Sequence, residues 1–190
     1  ISRGIAFPFF FGMVWNTLSR VREGSFDLLL IKPQPALVMA MVTGVDSNSA
    51  SRAVSGLAIS AIALANLPSP QPVQWVQFAA LFVLSLSVLF SFCLFMSGTL
   101  FVWVANSRVY EIFDAVTAFG RYPKSIYSKS IQTFISLVTP VAMIGFFPAA
   151  ALLGKPTEGT LGACGVCVAF LGLGLVFWHA MLGRYTSAGG

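Results

Sequence analysis

Trp75–Ala105, WVQFAALFVLSLSVLFSFCLFMSGTLFVWVA, is the stretch whose reading decides the fold. It runs thirty-one residues without an Asp, Glu, Lys, Arg or His. At about 1.5 Å per residue it spans roughly 46 Å as a helix, against about 30 Å for the hydrocarbon core of a bilayer. It predicts a membrane helix that tilts, or that projects past the bilayer at one end. Trp75 is placed for an interface. Ser87, Ser91 and Gly98 fall near one face, suited to close approach by another helix, although a serine in a span can equally bond its own backbone.

The rest of the chain has the same character. Hydrophobic residues make up 57% and charged residues 9%, where an average soluble domain carries roughly 25% charged. Positions 53–107, 130–154 and 159–183 hold no Asp, Glu, Lys or Arg. The net charge of +5 sits in gaps between apolar runs, as in a membrane protein with basic loops, so no nucleic-acid partner is expected. The fold class read from this is all-α, a polytopic helical membrane protein with lipid as its solvent.

Working outward, Gly4–Leu18 reads as the tail of a first span, kinked at Pro8. Its fifteen uncharged residues fall short of the about 20 a span needs, and Ile1 is not a natural start. The chain is therefore read as cut inside a membrane helix, with 1–190 forming one N-terminally truncated transmembrane domain. Ala36–Val45 is a short apolar helix, at the interface or packed on the bundle. Ala53–Leu67 is the next span, with Gly56 and Ser60, then Ala61 and Ala65, four apart for close helix contact. Asn106–Lys129 is an amphipathic segment in which Val109, Ile112, Phe113, Val116 and Phe119 follow helical spacing, with Glu111 and Asp114 opposite. Ile131–Phe147 is a span kinked at Pro140 and closed by Pro148, before a loop over Ala149–Thr160. Leu161–Leu182 is the last. About five spans result. Facing the Ser19–Pro35 patch to the cytoplasm puts nine of the eleven basic residues inside, leaving Arg3 and Lys155 outside, as the positive-inside bias requires.

Ser19–Pro35, SRVREGSFDLLLIKPQP, is the densest charged patch. Gly24 breaks the helix running in from Trp15–Arg22. Ser25 is placed to cap a new short helix, and Asp27 in its first turn suits the helix dipole. Leu28, Leu29, Leu30 and Ile31 form its apolar body, and Lys32-Pro33, then Pro35, stop it. So apolar a helix between charged ends predicts a docking element in which Phe26, Leu29 and Leu30 fill a partner's pocket.

Catalytic groupings do not emerge. Cys164-x-x-Cys167 has metal or redox spacing but lacks a second ligand pair, and free cysteine packs as a small hydrophobe. His179, beside Trp178 at the end of the last span, reads as interfacial. Gly154-Lys155-Pro156 lacks the upstream glycine and the hydroxyl of a phosphate-binding loop. The spans carry no acid for ion coupling, each of which would cost about 2.5–3.5 kcal/mol to insert. If the chain is a transporter, its energy would then enter from outside the membrane, at the two polar segments. A secondary carrier and a non-transporting membrane scaffold are the alternatives.

Arg22-Glu-Gly-Ser-Phe-Asp-Leu-Leu-Leu-Ile-Lys-Pro33 resembles the corresponding segment of ABC-2 type permeases, and most nearly the branch described as daunorubicin or viologen exporter permeases. Arg121-Tyr-Pro-Lys-Ser-Ile-Tyr127, Pro140-Val-Ala, Phe147-Pro148, Leu152-Leu-Gly154 and Arg184-Tyr-Thr-Ser-Ala-Gly189 resemble that branch's second half. Gly183 departs from it, standing where a second basic residue is expected. The resemblance implies a six-helix permease in a bacterial plasma membrane that exports an apolar or amphiphilic substrate. It implies a second permease copy or paralogue as dimer partner, and a separate ABC ATPase subunit. That subunit binds the ATP, so the chain itself needs no cofactor or metal. By the same resemblance Gly24, Ser25, Phe26, Asp27, Leu29, Leu30, Lys32 and Pro33 form the ATPase-coupling segment. Arg121, Tyr122, Pro123 and Lys124 belong to a second cytoplasmic loop.

Overall fold

A computed structural model of the chain describes residues 6, 10–44, 50–66, 70–103, 111, 115–116, 118, 126–134, 140–155 and 159–186. Among these the regular structure is helical: α1 (Gly12–Arg22), α2 (Asp27–Leu30), α3 (Ala36–Thr43), α4 (Ala50–Ala65), α5 (Pro72–Leu100), α6 (Lys129–Thr133), α7 (Ala142–Leu152) and α8 (Thr160–Leu182).

The long uncharged run becomes α5, 29 residues and so about 44 Å long. It starts where Gln71 donates its backbone N–H to Gln74 Oε1 at 2.9 Å, with Pro72 as first helical residue, a position where the missing N–H costs nothing. α8, α7 and α1 all pack on it. Its buried serines satisfy themselves: Ser85 donates to the Phe82 carbonyl at 2.7 Å, Ser91 to Ser87 at 2.7 Å and Ser97 to Cys93 at 2.8 Å. Ser91 also faces a neighbour, because a Cβ built on Gly174 of α8 would lie 3.4 Å from its Cα. Both readings of that serine hold.

α5 and α8 are long and apolar enough to cross a membrane; the 11 residues of α7 and the apolar part of α4, Ala53–Ala65, are shorter. Large apolar side chains also line the outside of the helices: Val54, Leu57, Ile59 and Ile62 on α4 and Leu161, Val168, Leu173 and Val176 on α8 are exposed. Water would penalise such surfaces; hydrocarbon does not.

Two expectations need correction. Pro148 does not close a span: α7 continues through it to Leu152. A proline inside a helix costs about 3 kcal/mol, but this one is buried in the face that α7 turns to α5, and packing outweighs the lost backbone bond. The loop expected over Ala149–Thr160 accordingly starts only at Leu153. Of the two placements expected for Ala36–Val45, the structure takes the second: α3 packs on α1 and α2. Gly44 ends it against the α1 backbone, where an added Cβ would sit 2.6 Å from Met13 Cα. Asn16 bridges the same contact, donating to Thr43 Oγ1 at 2.7 Å while Arg20 Nε donates to its Oδ1 at 2.9 Å.

Pro140 is buried and stands two residues before α7, its carbonyl accepting the Met143 N–H at 3.1 Å. Residues 135–139 lie outside the described set, so the expected kink falls across that boundary. Arg121, Tyr122, Pro123 and Lys124 also lie outside it, as does most of the amphipathic segment.

Candidate functional site

The charged patch is built by a helix stop. α1 ends at Arg22, and Gly24 takes φ +67°, a left-handed conformation that glycine adopts without a Cβ penalty. The Ser25 N–H then donates back to the Arg20 carbonyl at 2.9 Å and the Gly24 N–H to Val21 at 3.4 Å. This ends α1 in a tight turn that leaves Phe26 fully buried. Ser25 does not cap α2 with its hydroxyl: Phe26 occupies the N-cap without a side-chain bond. Backbone carbonyls of Ser25 and Phe26 accept the N–H groups of Leu28 and Leu29 instead. Ile31 closes the helix before Lys32-Pro33, and Pro35 begins α3.

α2 has two unlike sides. Phe26 and Leu29 are 0% and 2% exposed, so they belong to the chain's own core. Leu28, Leu30 and Ile31 face outward, Ile31 at 78% exposure. Arg22, Glu23, Lys32 and Pro33 are exposed beside them. The outward residues are therefore not the three expected from the sequence, Phe26, Leu29 and Leu30. Leu30 was in that expected set; Leu28 and Ile31 were missed.

Beneath α2 lies a cluster of four aromatic rings. Phe26 meets Phe101 at 5.0 Å and Tyr185 at 5.4 Å, both edge to face. Phe101 in turn meets Trp178 at 5.7 Å and Tyr185 at 5.8 Å. Such pairs contribute about 0.5–1.5 kcal/mol each beyond area burial. Phe101 follows the last residue of α5, Trp178 lies in the last turns of α8, and Tyr185 follows α8. The short helix thus sits at the end where both long helices finish. Two polar atoms in the cluster, Trp178 Nε1 and the Tyr185 hydroxyl, are buried and meet no acceptor at standard hydrogen-bond geometry. Burial, with the charge of Asp27 and a looser contact to its carboxylate, pushes the Tyr185 hydroxyl above its ordinary pKa.

The opposite end has its own contact. Gly154, at φ +65°, lies against the Gln74 side chain, which approaches within 2.5 Å of where a Cβ would be. The loop after α7 therefore meets the start of α5.

His179 bonds the Leu175 carbonyl through Nδ1 at 2.8 Å and rests its ring on Trp178. Cys164, Cys167 and Cys93 are free thiols. Among the described residues no group of three His, Cys, Asp or Glu is placed to hold a metal.

A family model described as ABC-2 family transporter protein matches residues 1–189. The chain belongs to the ABC-2 transporter family. No curated protein and no solved structure matches it. ABC-2 permeases are membrane components of transport rather than catalysts, and they work with an ABC ATPase subunit.

Proposed function

We propose that this chain is the permease of an ATP-driven exporter in a bacterial plasma membrane, moving an apolar or amphiphilic substrate, with two permeases assembled per transporter. The shorter helices α4 and α7 complete a multi-pass topology with the Ser19–Pro35 patch cytoplasmic. Gly24–Pro33 is the ATPase-coupling segment. One observation carries this: α2 offers Leu28, Leu30 and Ile31 outward between exposed Arg22, Glu23 and Lys32, at the end where α5 and α8 terminate. Apolar anchors ringed by charge suit a groove on a soluble partner.

The test is co-purification of the ABC ATPase subunit with Ile31→Asp, which should fall at least tenfold while membrane insertion is unchanged. Retention of both the ATPase and ATP-dependent transport would remove α2 as the docking element. The scaffold reading would be favoured if the wild-type chain bound no ATPase.

A further inference from the structure

The coupling reading says where a partner docks; it does not say how movement of a four-residue helix reaches helices several times its length. α2 has few contacts of its own, chiefly with α3. Its buried side chains are Leu29 and, at its N-cap, Phe26, whose fully buried ring meets one residue from the end of α5 and one from beyond the end of α8. Those two, Phe101 and Tyr185, also meet each other, so the three rings close a triangle. Each of the three contacts is edge to face, a geometry that fixes orientation as well as distance.

Tyr185 is the least constrained corner by sequence. It stands in a short polar tail after Gly183, the C-cap of α8, and is tied back by its N–H to the Leu182 carbonyl at 3.1 Å. Nothing in a polar tail requires an aromatic residue to be half-buried, yet this ring is inserted with its hydroxyl covered, facing Asp27 in the first turn of α2. The tail therefore reaches the short helix twice, through the ring to Phe26 and through the hydroxyl end to Asp27.

We infer that Tyr185 is a positioning residue, a latch that holds the C-terminal tail on Phe26 so that α2 moves as one body with the ends of α5 and α8. This deepens the coupling reading and rests on it. Without the ring, α2 keeps its outward face and its partner, but its displacement is taken up locally by the glycine hinge at Gly24. The hydroxyl is secondary: its contact with Asp27 is loose, whereas the ring makes two of the three contacts in the triangle.

The experiment places spin labels on Gln34→Cys, just after α2 and outside its docking face, and on Trp103→Cys, both exposed at this end, in a chain whose three native cysteines are replaced by alanine. Distances are measured in proteoliposomes, for the permease alone and for its complex with the ATPase subunit, nucleotide-free and trapped with ATP and vanadate. The latch predicts one narrow distance distribution, unchanged by trapping. Tyr185→Ala should broaden it at least twofold and make it respond to trapping, with ATPase co-purification kept within about twofold. Tyr185→Leu, which keeps an apolar side chain without the ring, should broaden it as well, and serves if the alanine variant folds poorly. Tyr185→Phe should restore the narrow distribution. A narrow distribution in both ring-less variants overturns the latch, as does a broad one in Tyr185→Phe. Failure of the wild-type chain to bind the ATPase would instead overturn the coupling reading, and the measurement on the permease alone separates the two.

Discussion

The rings of Phe26 and Phe101 meet edge to face with centroids 5.0 Å apart, joining the turn after Gly24 to the end of the longest helix. Phe26 is fully buried. Phe26→Ala should therefore cost about 3–5 kcal/mol, the range for deleting a buried phenylalanine. Phe26→Leu should cost clearly less. Unfolding of the purified chain in detergent checks this; equal, small losses would show that the turn tolerates an empty core.

Leu29→Asp should damage the chain itself rather than its partnership. Leu29 is 2% exposed, and an unpaired buried carboxylate costs several kcal/mol or forces protonation. The expected result is lower yield and a lower unfolding temperature before any ATPase is added. An unchanged unfolding temperature would place Leu29 at the surface.

Gly44 and Gly174 should respond differently to alanine. At Gly44 the new Cβ would lie 2.6 Å from Met13 backbone atoms, which cannot swing aside, so about 1–3 kcal/mol is lost. At Gly174 the closest atoms are 3.4 Å away, nearly ordinary contact, and the change should be small. Comparable unfolding temperatures for the two variants would contradict the α1–α3 approach.

Cysteines at Pro70 and Lys155 should be labelled from the same side of the membrane, since Gly154 lies against Gln74. A cysteine at Ile31 should be reached only from the other side, and the basic residues assign that side to the cytoplasm. Labelling of Pro70→Cys and Ile31→Cys from one side would break the topology.

Tyr185 holds its proton more tightly in the folded chain, because burial and then Asp27 raise its pKa above the ordinary 10.0. The stability this supplies is complete below about pH 10 and is lost as the pH rises through the raised value. Between about pH 9 and about pH 11, the wild-type unfolding temperature should fall further than that of Tyr185→Phe. Parallel falls would show that the hydroxyl is solvated.

Much of this molecule was legible in its residue order. A helix of 29 residues follows from a run with no charge to interrupt it, because nothing in the run competes with burial in hydrocarbon. The stop at Gly24 follows from glycine's freedom at positive φ, and the common end of Phe26, Phe101 and Tyr185 agrees with the distribution of basic residues. The side of α2 that faces inward was decided only by the tertiary structure. Leu28, Leu29, Leu30 and Ile31 are all apolar, so the stretch has no periodicity to read, and the turn at Gly24 chose Phe26 and Leu29 for the core. The helix through Pro148 and the approach at Gly44 were hidden for a related reason. Local rules price a proline or a glycine by its own backbone, whereas here the deciding energy lies in packing against α5 and α1, which only the folded chain brings near.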